Sequence, residues 1–253
     1  MQFASLGSGS RGNATLVQAE ATTLMIDCGF SLRETEQRLQ TFGVSARDVN
    51  AILVTHEHSD HIKGVGAFAR KYQTPVWLTY GTAQTARLGI LPIAEHIVVE
   101  QDFRIGDITV TPFSVPHDAS EPCQYRFSDG KQMLGLLTDT GMITPHIIDM
   151  LSGIAALLLE CNHDHAMLLE SDYPESLKQR VAGNYGHLNN QQAAGLLTDM
   201  DTSQLSYIAG MHLSENNNTP QLVKEALSAA LAWQTGQIHV AHQELGLSWT
   251  RIS

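Results

Sequence analysis

Three histidines and an aspartate lie close together in residues 55–61, which read THEHSDH. The preceding residues, 51–54, are the apolar run AILV, and a run of this kind predicts a buried strand. Side chains two positions apart on an extended strand share a face. His56 and His58 can therefore bind the same ion.

Asp60 and His61 follow at a turn, because residues 62–72 (IKGVGAFARKY) have the pattern of a helix. The side chains of Asp60 and His61 face a second position, close to the one shared by His56 and His58. A single histidine is more often structural than a ligand, and Asp60 alone could cap a helix. The zinc-protease motif H-E-x-x-H does not fit, because position 60 is Asp. Two pairs of donors aimed at adjacent points predict a two-metal site.

Three further candidates occupy equivalent places in the chain. His117, Asp139 and His212 each come just after a predicted strand, where functional side chains gather in layered α/β folds. Any one of them could be an ordinary loop residue. Their shared position relative to a strand, together with residues 55–61, favours a common site.

The chemistry divides these residues into two ligand sets. Three neutral imidazoles commonly bind a catalytic zinc while leaving a coordination position open. Two ions about 3.5–4 Å apart lower the pKa of a shared water towards about 7, and the resulting bridging hydroxide suits hydrolysis of a phosphodiester or an acyl bond. The expected ligands are His56, His58 and His117 for one ion, Asp60, His61 and His212 for the other, and Asp139 as the bridge.

Other residues are candidates for supporting roles. His187 is interpreted as a proton donor to the leaving group, a second catalytic residue beside Asp60, although it could simply cap or pack against a helix. Asp27, at the end of a predicted strand, could orient a metal ligand by a hydrogen bond. His163 and Asp164 could line the substrate cleft or support the ligands, or belong to a polar loop.

The composition limits the partners. The formal charge is −11 with only 15 Lys and Arg, which excludes a general polyanion-binding surface. A nucleic acid would need a local basic patch or metal contacts. The candidates for such contacts are Arg11, Lys63, Arg70 and Lys71.

The three cysteines indicate a cytoplasmic protein, because they are widely spaced and odd in number. Residues 1–6 begin neither a basic nor a long apolar leader, so we expect no export signal. The longest apolar run, residues 154–159, is too short for a membrane span. Strands and helices alternate without a linker, which predicts one α/β or α+β domain over residues 1–253. The oligomeric state is left open.

Motifs across the chain resemble those of the metallo-β-lactamase superfamily, and of its WalJ/YycJ branch in particular. Beside H-x-H-x-D-H they are S-G-S-x-G-N (8–13), E-C-N-H-D (160–164), Y-P-x-x-L-K-x-R (173–180), G-H-L-x-N (186–190) and H-L-S-x-N-N (212–217). The resemblance implies a four-layer αββα sandwich. It also implies two divalent ions, Zn²⁺ or Mn²⁺.

The resemblance further implies a DNA exonuclease that works from the 5′ end. The branch is similar to tRNase Z and the phosphodiesterase PhnP, in which the histidine before the last ligand is catalytic, and this carries the donor role to His187. The alternatives are a hydrolase of small phosphodiesters or thioesters on the same fold, and a non-catalytic metal-binding partner in cell-wall signalling.

Overall fold

Two seven-stranded mixed sheets form the centre of the protein, whose computed structural model describes residues 1–252. The strands are β1 (Gln2–Gly7), β2 (Ala14–Ala19), β3 (Thr22–Ile26), β4 (Ala51–Leu53), β5 (Val76–Leu78), β6 (Ala94–His96), β7 (Phe103–Ile105), β8 (Ile108–Ser114), β9 (Cys123–Ser128), β10 (Met133–Leu137), β11 (Ala156–Glu160), β12 (Tyr207–Met211), β13 (Ile238–Val240) and β14 (Leu247–Arg251). One sheet has the order β14-β1-β2-β3-β4-β5-β6, and the other has the order β13-β12-β11-β10-β9-β8-β7.

Helices cover the outer faces of both sheets. They are α1 (Leu32–Thr41), α2 (Ser59–Ile62), α3 (Val65–Tyr72), α4 (Tyr80–Ala83), α5 (Pro145–Leu151), α6 (His165–Glu170), α7 (Glu175–Ala182), α8 (Asn190–Asp199) and α9 (Pro220–Leu231). Within the described residues, none of these helices combines the length and apolar character that a bilayer crossing needs.

Three apolar clusters define the layers. The first lies between the sheets, where Phe3 and Leu53 meet Tyr125 and Leu158. The second joins the β13–β7 sheet to α5, α8 and α9, and the third joins the β14–β6 sheet to α1 and α3. The predicted four-layer αββα sandwich is therefore confirmed.

Several helices begin where the sequence indicates. Ser31 Oγ accepts a hydrogen bond from Glu34 N at the start of α1, as expected of an N-cap. Thr144 and Thr219 cap helices whose first residue is proline. Polar caps followed by apolar periodicity were thus reliable signals.

Three local expectations were wrong. The helix expected at 62–72 begins earlier, as α2 at Ser59 and then α3, so Asp60 and His61 lie in a helical turn. The apolar residues 97–99 predict a strand, but the strand lies instead at Ala94–His96. Residues 238–241 and 247–252 predict two strands that close the sheet, but β13 pairs with β12 and β14 pairs with β1, in different sheets.

Three strand ends leading into the site share an unusual backbone conformation. Asp27, Asp139 and His212 follow β3, β10 and β12 with φ of 60°, 54° and 55°. This left-handed region is disfavoured for most residues, though Asp and His enter it more readily than branched side chains. Such backbone strain is typical of functional sites. The turn directs the three side chains to one edge of the sandwich.

Candidate metal centre

The first ligand set converges as the sequence predicts. Potential ligand atoms of His56, His58 and His117 lie within 4.8 Å of one another. His58 Nδ1 is 3.2 Å from His117 Nε2. His56 Nε2 is buried and makes no hydrogen bond within residues 1–252. These three rings therefore offer nitrogen lone pairs to one point.

The opposite nitrogens of these rings are held by the protein. His117 Nδ1 donates to Gly186 O at 3.1 Å, and His58 Nε2 donates to Asp118 O at 3.2 Å. His56 Nδ1 lies 3.0 Å from Thr55 Oγ1. Hydrogen bonds of this kind fix which nitrogen of a ligating imidazole is free. The free atoms here are Nε2 of His56, Nδ1 of His58 and Nε2 of His117.

The second set lies next to the first. His61 Nε2 is 3.3 Å from Asp60 Oδ2 and 3.3 Å from Asp139 Oδ2, and His212 Nε2 is 3.5 Å from Asp60 Oδ2. Asp139 also groups with His56 and His61 within 4.8 Å. Asp139 therefore lies between the two sets, where a bridging carboxylate would be.

Asp27 lies in contact with His61, in a position from which it could orient the ring. Its Oδ2 lies 2.8 Å from His61 Nδ1 and accepts from Thr55 Oγ1 at 2.9 Å, while its Oδ1 accepts from Thr55 N at 2.8 Å. Burial raises the pKa of Asp27, and the hydrogen bonds and charge of His61 oppose this rise. The contact places the proton of His61 on Nδ1 and leaves the lone pair on Nε2.

Glu160 performs the same task for two rings, although no role was predicted for it. Its fully buried carboxylate accepts from His187 Nδ1 at 2.8 Å and from His212 Nδ1 at 3.2 Å. Thr140 N and Leu188 N each donate to its other oxygen at 3.1 Å. An acid closing a buried strand, as Asp27 also does, was the available signal.

The charges in this cluster suit cations. Burial lowers the pKa of His61, but Asp139, Asp60 and Asp27 more than offset this and raise it well above its ordinary value. Burial also lowers the pKa of His212, but Asp139, Asp60 and Glu160 raise it to about 10. A buried histidine whose pKa is raised lies in a strongly negative field. A divalent ion can take the place of the proton in such a field.

Buried polar atoms without a hydrogen-bond partner also indicate that the cluster fits metal ions. His212 Nε2 and Asp139 Oδ2, like His56 Nε2, are buried without a hydrogen-bond partner in the described chain. Buried polar atoms are normally satisfied, so a group of orphans in one place needs a ligand. Imidazole nitrogens mixed with carboxylate oxygens match divalent transition metals.

His187 lies at the edge of this cluster and lines a cleft of about 390 Å³. Its side chain is 22 % exposed, and Nδ1 is occupied by Glu160. Nε2 is therefore the atom available to a substrate. Burial lowers the pKa of His187, but the carboxylates of Glu160 and Asp139 raise it by more, so the net pKa lies above its ordinary value.

His163 and Asp164 are not among the residues that line the cleft. Asp164 caps α6 by accepting from Met167 N at 3.0 Å, so the expected substrate role has no support in its position. His163 is completely buried, with Nδ1 3.3 Å from Asn162 Oδ1. Burial lowers the pKa of His163 to about 4.

The cations nearest the cleft differ from those expected. Arg11 pairs with Glu215 and Glu244, Lys71 pairs with Glu36, and Arg70 donates to Leu88 O and Ile90 O. Neither these three nor Lys63 lines the cleft, whereas Arg87 and Arg180 do. Chain neighbours of the motif are not its spatial neighbours, which is why local reasoning missed both arginines.

The N-terminal glycine loop supports the second ligand set. Asn13 Nδ2 lies 3.3 Å from Asp60 Oδ2 and 3.2 Å from His61 Nε2. At Gly29 a Cβ would come 1.7 Å from Asp60 O, so only glycine permits this approach. The loop joins β1 and β2 in a hairpin, and it also contacts Asp60.

Replacement of Asp27 tests this arrangement. In Asp27→Asn the amide nitrogen would face His61 Nδ1, which favours the tautomer with its proton on Nε2 and blocks that atom. We expect affinity for Zn²⁺ or Mn²⁺ to fall about 10–100-fold, as measured by competition with a chromogenic chelator. Asp107→Asn is the matched control, since Asp107 accepts from Thr22 Oγ1 outside the cluster. Equal metal affinity in both variants would contradict the role of Asp27.

Comparison with known proteins gives the family. The model of the β-lactamase superfamily domain matches residues 22–208. The exodeoxyribonuclease YycJ of Bacillus anthracis is 38 % identical over 235 residues, covering 91 % of this chain and 89 % of that protein. The exodeoxyribonuclease WalJ of Streptococcus pneumoniae serotype 2 (strain D39 / NCTC 7466) is 33 % identical over 237 residues, covering 91 % and 88 %.

A solved structure supports the fold. The metallo-β-lactamase-fold protein YhfI from Bacillus subtilis superimposes with a TM-score of 0.77 at 16 % identity, covering 98 % of each chain. This chain belongs to the WalJ/YycJ branch of the metallo-β-lactamase superfamily, a superfamily of metal-dependent hydrolases.

Proposed function

We propose that this protein is a dinuclear metal-dependent phosphodiesterase that shortens DNA from its 5′ end, acting as one domain. The observation that carries the proposal is the pairing of free and occupied nitrogens. Each of five clustered histidines has one ring nitrogen held by the protein and the other directed at a shared centre. A purely structural histidine cluster has no need of that division.

The ligands follow from the free atoms. Seven residues contribute, with Asp139 between the two sets; they are His56, His58 and His117 for one ion and Asp60, His61 and His212 for the other. Two bound divalent ions would supply a water nucleophile at neutral pH and stabilise the charge that develops on the phosphate. His212 and Asp139 come from one sheet and the H-x-H-x-D-H residues from the other, so the site joins the two halves of the sandwich.

His187 acts on the leaving group in this proposal. Glu160 holds its Nδ1, and the ring faces the cleft with Nε2 available. A proton given from Nε2 would neutralise the departing sugar oxygen. Asp60 fixes His61 and His212 through contacts of 3.3 and 3.5 Å. A non-catalytic metal sensor would need neither the donor nor the bridge.

DNA is favoured as substrate by the two exodeoxyribonucleases that this chain resembles over most of its length. The acidic overall charge argues for the second candidate, a small phosphodiester or thioester. Two arginines, Arg87 and Arg180, nevertheless lie on the cleft, where they could contact phosphates. The three cysteines are free and buried, which supports a reducing compartment such as the cytoplasm.

Labelled DNA tests the proposal. With Mn²⁺ or Zn²⁺ we expect a 5′ label to be released in the first products, while a 3′-labelled strand shortens progressively. His117→Ala, prepared identically, controls for a contaminating nuclease and should lose this activity. A 3′ label released first would reverse the polarity. Hydrolysis of bis(4-nitrophenyl) phosphate or a thioester without any DNA degradation would favour the small-substrate alternative.

A further inference from the structure

Helix α7 differs from the other long helices in what it contacts. None of its eight residues is buried, so it contributes little to the core. Three of its residues, together with Tyr173 just before it, nevertheless line the cleft beside the metal cluster. They are Leu177, Arg180 and Val181. The positions 177, 180 and 181 recur at helical spacing and form one face of α7, and Tyr173 extends this face from the segment just before the helix.

Arg180 is held in place at one atom and free at the others. Its Nε donates to Asp118 Oδ2 at 2.7 Å, while the side chain remains 62 % exposed. Its two terminal nitrogens make no hydrogen bond or ion pair with any of residues 1–252. A guanidinium anchored at Nε presents the remaining donors as a fork, the geometry that suits a phosphate.

Asp118 places this fork at a set distance from the metal cluster. Its Oδ1 lies 3.6 Å from His58 Nε2, and its Oδ2 faces Arg180. The guanidinium is therefore one side chain away from the candidate ligands. This separation by one carboxylate suits a phosphate that neighbours the one at the ligand cluster.

Tyr173 completes the face at the other end of the helix. Its hydroxyl accepts from Asn216 Nδ2 at 3.2 Å, which ties it to the loop that follows the ligand His212. The ring lines the cleft and is only half-buried. Aromatic side chains beside a basic group are the usual platform for unpaired bases.

We propose that the α7 face, Tyr173 with Leu177, Arg180 and Val181, is a nucleotide subsite that binds the DNA strand next to the scissile phosphate. Arg180 takes the adjacent phosphate, and Tyr173 stacks on a base. The inference rests on the proposed function, and it explains why a helix without buried residues is kept beside the cleft. Its apolar side chains cover a nucleotide rather than the core.

Binding of a fluorescent single-stranded oligodeoxynucleotide, measured by anisotropy across a salt series, tests the subsite. The His187→Ala background slows cleavage during the measurement. Arg180→Ala should weaken binding about fivefold at 0.1 M salt and flatten the slope of log affinity against log salt by about 0.7. Arg180→Lys should keep the slope. Tyr173→Ala should weaken binding about tenfold without changing the slope, and Tyr173→Phe should bind normally.

Two controls separate the possible failures. Arg33→Ala removes the same charge from α1 away from the cleft and should leave affinity and slope unchanged. Metal content should be retained in the Arg180 and Tyr173 variants made on the native background, and their turnover of bis(4-nitrophenyl) phosphate, which has no neighbouring nucleotide, should fall by a smaller factor than their turnover of DNA. If the native protein binds DNA, but Arg180→Ala and Arg33→Ala show the same affinity and salt slope, the subsite is wrong and the proposed function stands. Native protein that hydrolyses the small diester but binds no DNA would overturn the proposed function and the subsite with it.

Discussion

Removal of the His187 ring is expected to leave both ions in place and to lower DNA turnover by about 10²–10⁴-fold. Metal retention follows from the contacts of Glu160, which in His187→Ala would still accept from His212 Nδ1, Thr140 N and Leu188 N. His212 therefore keeps its orientation. The deficit should shrink on bis(4-nitrophenyl) phosphate, because a nitrophenolate leaves without protonation.

The matched variant is His117→Ala, which removes the neighbouring ring, a proposed metal ligand. It should lose both metal and activity on either substrate, because the ion and its activated water are lost together. Metal counted by elemental analysis and turnover on two substrates distinguish the two histidines. A metal-depleted His187→Ala, or one slowed equally on both substrates, would refute the proton-donor assignment.

Loss of the Asp139 carboxylate should have the largest effect of all. Asp139 lies between the two ligand sets, with Oδ2 3.3 Å from His61 Nε2. Protein purified without chelators should contain about two ions per chain. Asp139→Ala should contain clearly fewer, and its DNA turnover should fall at least about 10³-fold, since several kcal/mol of charge stabilisation depend on the pair of ions.

Asp139→Gly separates the carboxylate from the backbone. Position 139 has φ of 54°, which strains alanine but not glycine. Metal loss of the same size in both variants would assign the effect to the missing carboxylate. A full complement of metal in Asp139→Gly would mean that the ions do not need a bridge at this position.

The candidate ligands were predictable because their signals are local. His56 to His61 are contiguous, and their geometry follows from one strand leading into one helix. His117, Asp139 and His212 could be found because strand ends meet at one edge of a sheet. Their ligand roles remain predictions that the proposed metal measurements test.

What the sequence missed depends on distant contacts. Glu160 ends a buried strand as Asp27 does, but its partners His187 and His212 are identified only by the fold. Arg180 is 62 residues from its anchor Asp118, and no periodicity encodes that pairing. The fold of the family and its local caps were therefore predictable, whereas the residues that orient ligands and bind substrate were not.

The misplaced strands have a physical cause as well. Apolar periodicity reports burial, and β6 is exposed along its whole length, so its residues give no strand signal. The apolar residues just after it gave a false one, since Ile97 is buried in the core beyond the end of the strand. The sequences of β13 (IHV) and β14 (LSWTR) do not indicate a partner strand, and only tertiary pairing assigns them to different sheets.

The left-handed conformations at Asp27, Asp139 and His212 limit which sequences can occupy this fold. Glycine is the residue type that suits such a backbone best, and it has no donor atom to offer an ion. Most other replacements would lose the chemistry and keep the strain, which is about 1–3 kcal/mol at each position. In a lineage of such chains freed from metal binding, glycine would therefore be the replacement with the least backbone strain at these three sites.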